Sequence, residues 1–236
     1  MTENTTNKHW TRRQALGFLT AAGAALSAAC NGDTPTSPST TTPLTTTPAS
    51  PSGTCVVTPT ETVGPFPSLS DFVRSDIREG KPGLPVTLAI TVVNTNNGCA
   101  PVANASVDIW QCDASGNYSQ YGSERNLTYL RGIQPTDANG VATFTTIYPG
   151  WYQGRATHIH VEVSINGRSV KVTQIAFPED VSATVYRTGA YAPGGQNPTT
   201  NARDMVFGDG ASDEMAMIVG DTTNGYQATF RVGVAI

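Results

Sequence analysis

Beyond its N-terminal part, the chain is dominated by short runs in which apolar and polar side chains alternate, separated by turn-forming residues. Residues 84–94 (LPVTLAITVVN) form a Thr- and Val-rich run bounded by Pro82-Gly83 and by Asn96-Asn97-Gly98. Such a run reads as a β-strand. Residues 105–112 (ASVDIWQC) read as a second, stopped by Asp113-Ala114-Ser115-Gly116. Asp137-Ala138-Asn139-Gly140 is a further turn, leading into a strand over 141–147. Residues 157–164 and 169–176 flank Ile165-Asn166-Gly167-Arg168, which predicts a hairpin. Residues 215–219 and 226–234 supply the last two strands. With almost no helical periodicity, the pattern predicts an all-β fold: a β-sandwich of mostly antiparallel strands joined by long loops. The segment 178–212 reads as one long loop able to cover the mouth of a pocket.

The first 54 residues follow other rules. Thr11-Arg12-Arg13-Gln14-Ala15-Leu16 is a twin-arginine pair, followed by an apolar run through Leu26 that is too short to span a bilayer comfortably. Residues 1–30 therefore predict a twin-arginine export signal. Leu26-Ser27-Ala28-Ala29-Cys30 also resembles a bacterial lipobox, in which Cys30 would carry a lipid anchor to the membrane; plain cleavage and release is the alternative. Residues 31–54 are a Thr/Pro/Ser-rich tether that cannot bury a core. One folded domain of about 180 residues is expected over 55–236. Export favours a disulfide among Cys55, Cys99 and Cys112, with one thiol left over and the pairing open. The net charge of −4 and the lack of a basic patch argue against nucleic acid or an anionic membrane surface as partners.

The chemistry concentrates around residue 158. The chain has three histidines, and His158 and His160 lie two apart in the alternating run His-Ile-His-Val-Glu-Val. On a strand both imidazoles point to one face. Pro149-Gly150 makes a turn just upstream that delivers Tyr152 towards the same end. Two imidazoles and a phenol suggest a metal. A catalytic zinc would need a third ligand, for which Glu162 is the candidate on the same face, and type-1 copper would need a Cys and a Met nearby. A phenol ionises near pH 10 in water, so only a strongly Lewis-acidic ion would hold it as phenolate at neutral pH, and ferric iron fits.

At this point the chain resembles the intradiol ring-cleaving dioxygenases, catechol 1,2-dioxygenase and protocatechuate 3,4-dioxygenase among them. The resemblance is carried by Glu61-Thr62-Val63-Gly64-Pro65-Phe66, by Trp110-Gln111-Cys112-Asp113-Ala114-Ser115-Gly116-Asn117-Tyr118 and by Leu130-Arg131-Gly132-Ile133-Gln134-Pro135. It continues through Pro149-Gly150-Trp151-Tyr152, Arg155-Ala156-Thr157-His158-Ile159-His160 and Thr173-Gln174-Ile175. It implies one non-haem Fe(III) held by Tyr118, Tyr152, His158 and His160, with Tyr121 a rival for the first position. Arg155 would stabilise negative charge on the bound ring, Tyr152 would leave the metal as substrate binds, and Gln174 would support the site from the adjacent strand. The implied reaction inserts O2 between the two hydroxyl-bearing carbons of a catechol to give a muconate-type dicarboxylic acid, with no organic cofactor.

Blander roles stand beside these. Tyr118 could cap a turn, Trp110 could be plain core, Arg155 could form a surface salt bridge with Glu162, and Gln174 could merely pack. Arg74, Arg78, Arg187 and Arg203 are candidates for holding a substrate carboxylate, with solvated surface charge as the simpler reading. The chain lacks the helical N-terminal region through which catechol 1,2-dioxygenases dimerise, so its oligomeric state is open, a homodimer included. A non-catalytic exported binding module with a relict metal site is the alternative from another class, and a zinc or copper enzyme a third reading.

Overall fold

In the computed structural model, which describes residues 56–236, the alternating stretches become the strands of two sheets. β1 (Pro85–Asn94), β2 (Ala100–Pro101), β5 (Val141–Ile147), β8 (Met217–Asp221) and β9 (Gly225–Val234) form one sheet. Its order is β2-β1-β9-β8, with β5 paired to β1 on the same side as β2. The other sheet runs β4-β3-β6-β7, from β3 (Ser106–Trp110), β4 (Arg131–Pro135), β6 (His158–Ile165) and β7 (Arg168–Ala176). Pairing is antiparallel throughout except between β1 and β9, where Val86 stands beside Tyr226 and Asn94 beside Val234. A parallel pair cannot be closed by a tight turn, and nearly the whole domain lies between these two strands.

Period two divides each strand into two faces. Val86, Leu88, Ile90 and Val92 of β1 meet Val107 and Ile109 of β3 and Ile159, Val161 and Val163 of β6 in the core between the sheets, each 0–1% exposed. Burying each such side chain contributes roughly 1.5–3 kcal/mol. Register is thereby set: a one-residue slip of β6 would drive His158 and His160 into this apolar core. The two histidines instead lie on the opposite face of the four-stranded sheet, under the arm at residues 61–66. That arm is pinned by Glu61 N–H to the Val172 carbonyl (2.9 Å) and by the Gln174 amide to the Thr62 carbonyl (2.9 Å).

The structure corrects several expectations. β4 was not foreseen from the sequence pattern, because Arg131-Gly132 breaks apolar alternation; both are nonetheless buried, and the strand pairs with β3 along its full length. The segment 178–212 is not a featureless loop: it contains α1 (Glu179–Val185) and short 3-10 turns at Gly189–Gly194 and Asn201–Arg203. Cys99 is disulfide-bonded, and Cys112 is the leftover thiol, free and fully buried. The export signal, the lipid anchor at Cys30 and the 31–54 linker lie outside the described residues.

Candidate metal centre

His158 and His160 enter the site from the start of β6, and two loops bring the phenols to them. Tyr118 follows the turn after β3, where Asp113 Oδ1 accepts from the backbone N–H groups of Ser115 (2.9 Å) and Asn117 (3.0 Å). Tyr152 follows the Pro149-Gly150 turn. The loops are pressed backbone to backbone: a Cβ on Gly150 would stand 2.1 Å from the Asp113 carbonyl oxygen, and one on Gly116 2.4 Å from that of Trp151. Only glycine allows this approach, and Gly116 also has φ +84°. The spacing in Gly-x-Tyr and Pro-Gly-x-Tyr thus aims two phenols at one point.

That point is His158 Nε2. The Tyr118 and Tyr152 hydroxyls each lie 3.4 Å from it, and Arg155 Nη1 lies 3.5 Å away. The other ring nitrogen, Nδ1, is 2.7 Å from the Ala156 carbonyl, to which it donates, so the Nε2 lone pair is left facing the phenols. Burial, reinforced by the Arg155 charge, pushes His158 down to about 3 and His160 well below its ordinary range, so both stay neutral. His160 stacks on Trp110 at 4.9 Å between centroids and 3° between planes. Its two ring nitrogens are buried with no hydrogen-bond partner. Buried polar atoms without partners cost about 1–3 kcal/mol each, so an imidazole bare at both nitrogens is built for a partner of another kind.

The donor set fits a hard, highly charged cation. Burial raises the Tyr118 phenol well above its ordinary range and also raises Tyr152, so neither would ionise without such a cation beside it. No three His, Cys, Asp or Glu side chains gather into a metal-holding group among the described residues, so the donors at this point are two imidazoles and two phenols. Glu162 stands in register with Asp108, and the ion-pair partner of Arg155 is Asp204 instead. Tyr121, the rival phenol, turns away and donates to the Pro67 carbonyl (2.8 Å).

Arg155 is not a surface charge. It is 6% exposed; its Nε donates to Asp204 Oδ2 (2.9 Å) and its Nη2 to Gln174 Oε1 (2.5 Å). Gln174, cross-strand from His160, passes the support on to Thr62. Burial alone would raise the Asp204 carboxyl, but bonds from Arg155 and from the Ala156 and Val206 backbone hold it below the usual carboxylate range. Sequence reasoning missed Asp204, which lies in an irregular segment where no periodicity marks it. It missed the role of Arg131 as well, although that residue sits inside one of the motifs. Arg131 is 0% exposed and ties the loop carrying Tyr118 to the 61–66 arm, donating to Ser119 Oγ (3.0 Å), the Ser119 carbonyl (2.6 Å) and the Phe66 carbonyl (3.0 Å). Trp110 is more than core, since it forms the shelf under His160. Arg74 and Arg78 are engaged with Glu79 and Asp76, and Arg187 and Arg203 are exposed.

Comparison with known proteins agrees with this geometry. The chain is 32% identical over 162 residues to the protocatechuate 3,4-dioxygenase beta chain of Burkholderia cepacia, covering 62% of this chain and 64% of that one, so it spans less than two thirds of this curated relative. Among solved structures, an intradiol ring-cleavage dioxygenase from Tetranychus urticae superposes with TM-score 0.69 at 29% identity, over 77% of this chain and 95% of its own. The dioxygenase domain of a dioxygenase carbohydrate-binding protein fusion from Streptomyces sp. SirexAA-E gives TM-score 0.59 at 28% identity, over 77% and 99%. A family model described as Dioxygenase matches residues 67–187, just over half of the sequence, and with these relatives it establishes that the chain belongs to the intradiol ring-cleaving dioxygenase family.

Proposed function

We propose that this chain is an exported non-haem Fe(III) intradiol dioxygenase that cleaves a catechol-type 1,2-dihydroxybenzene with O2 between the two hydroxyl-bearing carbons, giving a muconate-type dicarboxylic acid. The observation that carries the reading is the convergence of Tyr118, Tyr152 and His158 beside a buried His160 whose nitrogens have no partner. These four residues would hold the ion. Bound there, ferric iron would supply Lewis acidity that acidifies a chelating catechol and shifts ring electron density towards O2.

The chain's own groups do the rest. Tyr118 is buried and Tyr152 half-buried, so of the two phenols that would hold the ion Tyr152 is the one with room to turn. Its phenolic oxygen is then placed to take a catechol proton. Arg155 Nη1 faces the site and stabilises negative charge on substrate oxygen as the ring takes ketone character. Phe66, stacked on Tyr118 at 4.7 Å, and Trp110 keep water from the inner wall.

The test is metal analysis and a visible spectrum of the full-length protein, before and after anaerobic catechol. We expect about one iron per chain and a tyrosinate-to-Fe(III) band that moves to longer wavelength with catechol, followed by a muconate once O2 is admitted. Tyr118→Phe should lose most of the band and Tyr121→Phe should keep it. A protein that stays colourless after Fe(III) reconstitution would overturn the reading.

A further inference from the structure

Arg155 can act on the reacting atoms only if one nitrogen of a long, flexible side chain is held on the substrate side. Its three nitrogens are divided cleanly. Nε goes to Asp204 and Nη2 to Gln174, which leaves Nη1 as the one directed at His158 Nε2. Gln174 alone would leave the guanidinium free to swing about a single contact, whereas a second contact at Nε fixes its plane.

Asp204 is built for this task. Its side chain has no exposure, and its two oxygens accept four N–H groups. Oδ2 takes Arg155 Nε and the Ala156 backbone N–H (2.5 Å), while Oδ1 takes the Val206 (2.7 Å) and Phe207 (3.3 Å) backbone N–H groups. One carboxylate therefore grips the head of Arg155, the main chain between Arg155 and His158, and its own loop. The Phe207 ring that follows lies 5.9 Å from the guanidinium carbon. A buried carboxylate is costly to keep unless each oxygen is satisfied; here Oδ2 holds Arg155 and its neighbour Ala156, while the two bonds at Oδ1 fix the carboxylate in its own loop.

We infer that Asp204 is a positioning residue for the ring-cleavage step, acting through Arg155 by fixing which guanidinium nitrogen faces the substrate. This inference rests on the proposed function. It also gives the irregular segment after α1 a part in the chemistry: that segment carries the anchor of the charge-stabilising arginine.

The experiment is a double-mutant cycle in the full-length, iron-loaded protein with catechol as the probe: Asp204→Asn, Arg155→Ala, and both. Asp204→Asn should keep its iron and tyrosinate band, hold KM within about twofold and lower kcat by about 10²-fold, the scale of a misplaced catalytic group. In the Arg155→Ala background the same change should alter kcat by no more than about twofold, because nothing is left to position. A readout without turnover comes from the metal-free full-length chain by 15N NMR. The Arg155 Nε–H, identified by its absence in Arg155→Ala, should be downfield and slow to exchange, and should lose both features in Asp204→Asn.

Equal losses of kcat in both backgrounds, an unchanged kcat, or an unaffected Nε–H would each overturn the inference. Should Asp204→Asn not fold, Arg155→Lys replaces it, since a lysine cannot bridge Asp204 and Gln174 and still present a third nitrogen. Wild-type turnover in that variant overturns the inference, and loss of kcat with the band retained supports it. An iron-free, inactive wild type would retire the proposed function itself; an active wild type indifferent to these changes retires only the role of Asp204.

Discussion

His160 shows how little freedom the site leaves a single residue. Trp110 covers one side of its ring, and a Cβ on Gly64 would stand 2.8 Å from its Cε1. Gly64 also has φ +73°, where a side chain costs about 1–2 kcal/mol. Gly64→Ala is therefore expected to displace His160, lowering bound iron well below stoichiometric and weakening the tyrosinate band while the far-UV spectrum stays that of a β protein. Metal analysis with absorption spectroscopy checks this, and full iron occupancy would show that the arm at 61–66 does not gate the ring. At this scale the histidine pair was legible, since alternation alone puts positions 158 and 160 on one face. The choice between Tyr118 and Tyr121 was not: both follow a turn, and only the hydrogen bond from Tyr121 to Pro67 shows which phenol is already committed.

Among the elements, β4 matters more to the site than its five residues suggest. Its first residue, Arg131, reaches from the sheet to tie the loop carrying Tyr118 to the arm carrying Phe66. Arg131→Met would leave the Ser119 and Phe66 carbonyls without this donor in a dry setting. A loss of about 3 kcal/mol is expected, since bonds to a charged donor are worth about 1.5–3 kcal/mol each and are not additive. Urea denaturation gives the loss directly. The variant should also show a broadened tyrosinate band, whereas a clean stability loss with the band unchanged would confine Arg131 to support of the fold. β4 escaped sequence reasoning because an arginine and a glycine at its head break the apolar pattern that reveals a strand. Arg131 is buried for its hydrogen bonds, not for its hydrophobicity.

For the molecule as a whole, Glu214 should set how stability varies with pH. Its side chain is wholly buried at the junction of the 204–215 segment with β7; Thr173 donates to Oε1 (3.2 Å) while Oε2 has no partner. Burial, and then the charge of Glu61, push its carboxyl from 4.5 up to about 7. The folded chain keeps this proton up to about pH 7, whereas the unfolded chain releases it near 4.5. Between those values the fold binds more protons, so stability falls as pH rises through that window and levels off above it. The contribution is up to about 3 kcal/mol at 1.36 kcal/mol per unit. Asp108, raised to about 7 by burial and by Glu162 opposite, acts in the same direction, so Glu214→Gln should flatten only part of the slope. Melting temperatures of the two proteins from pH 4.5 to 8 measure this, and parallel curves would mean that Glu214 is ionised in the fold.

Local pattern determined most of the strands, the faces they present and the pairing of His158 with His160 on one face. β6 alternates because its odd positions must enter the core, and that requirement alone turns both histidines outward to one place. The Pro149-Gly150 turn likewise marked Tyr152, whereas Tyr118 came only as what the family resemblance implies. Tertiary structure decided what those residues meet: Tyr118 rather than Tyr121 at His158, Asp204 rather than Glu162 on Arg155, and Arg131 as the tie between two loops. These choices join positions 40 to 65 residues apart, and no short window of sequence contains both partners. Periodicity reports which side of an element faces the core, while the identity of a polar partner depends on where separate loops come to rest once that core has closed.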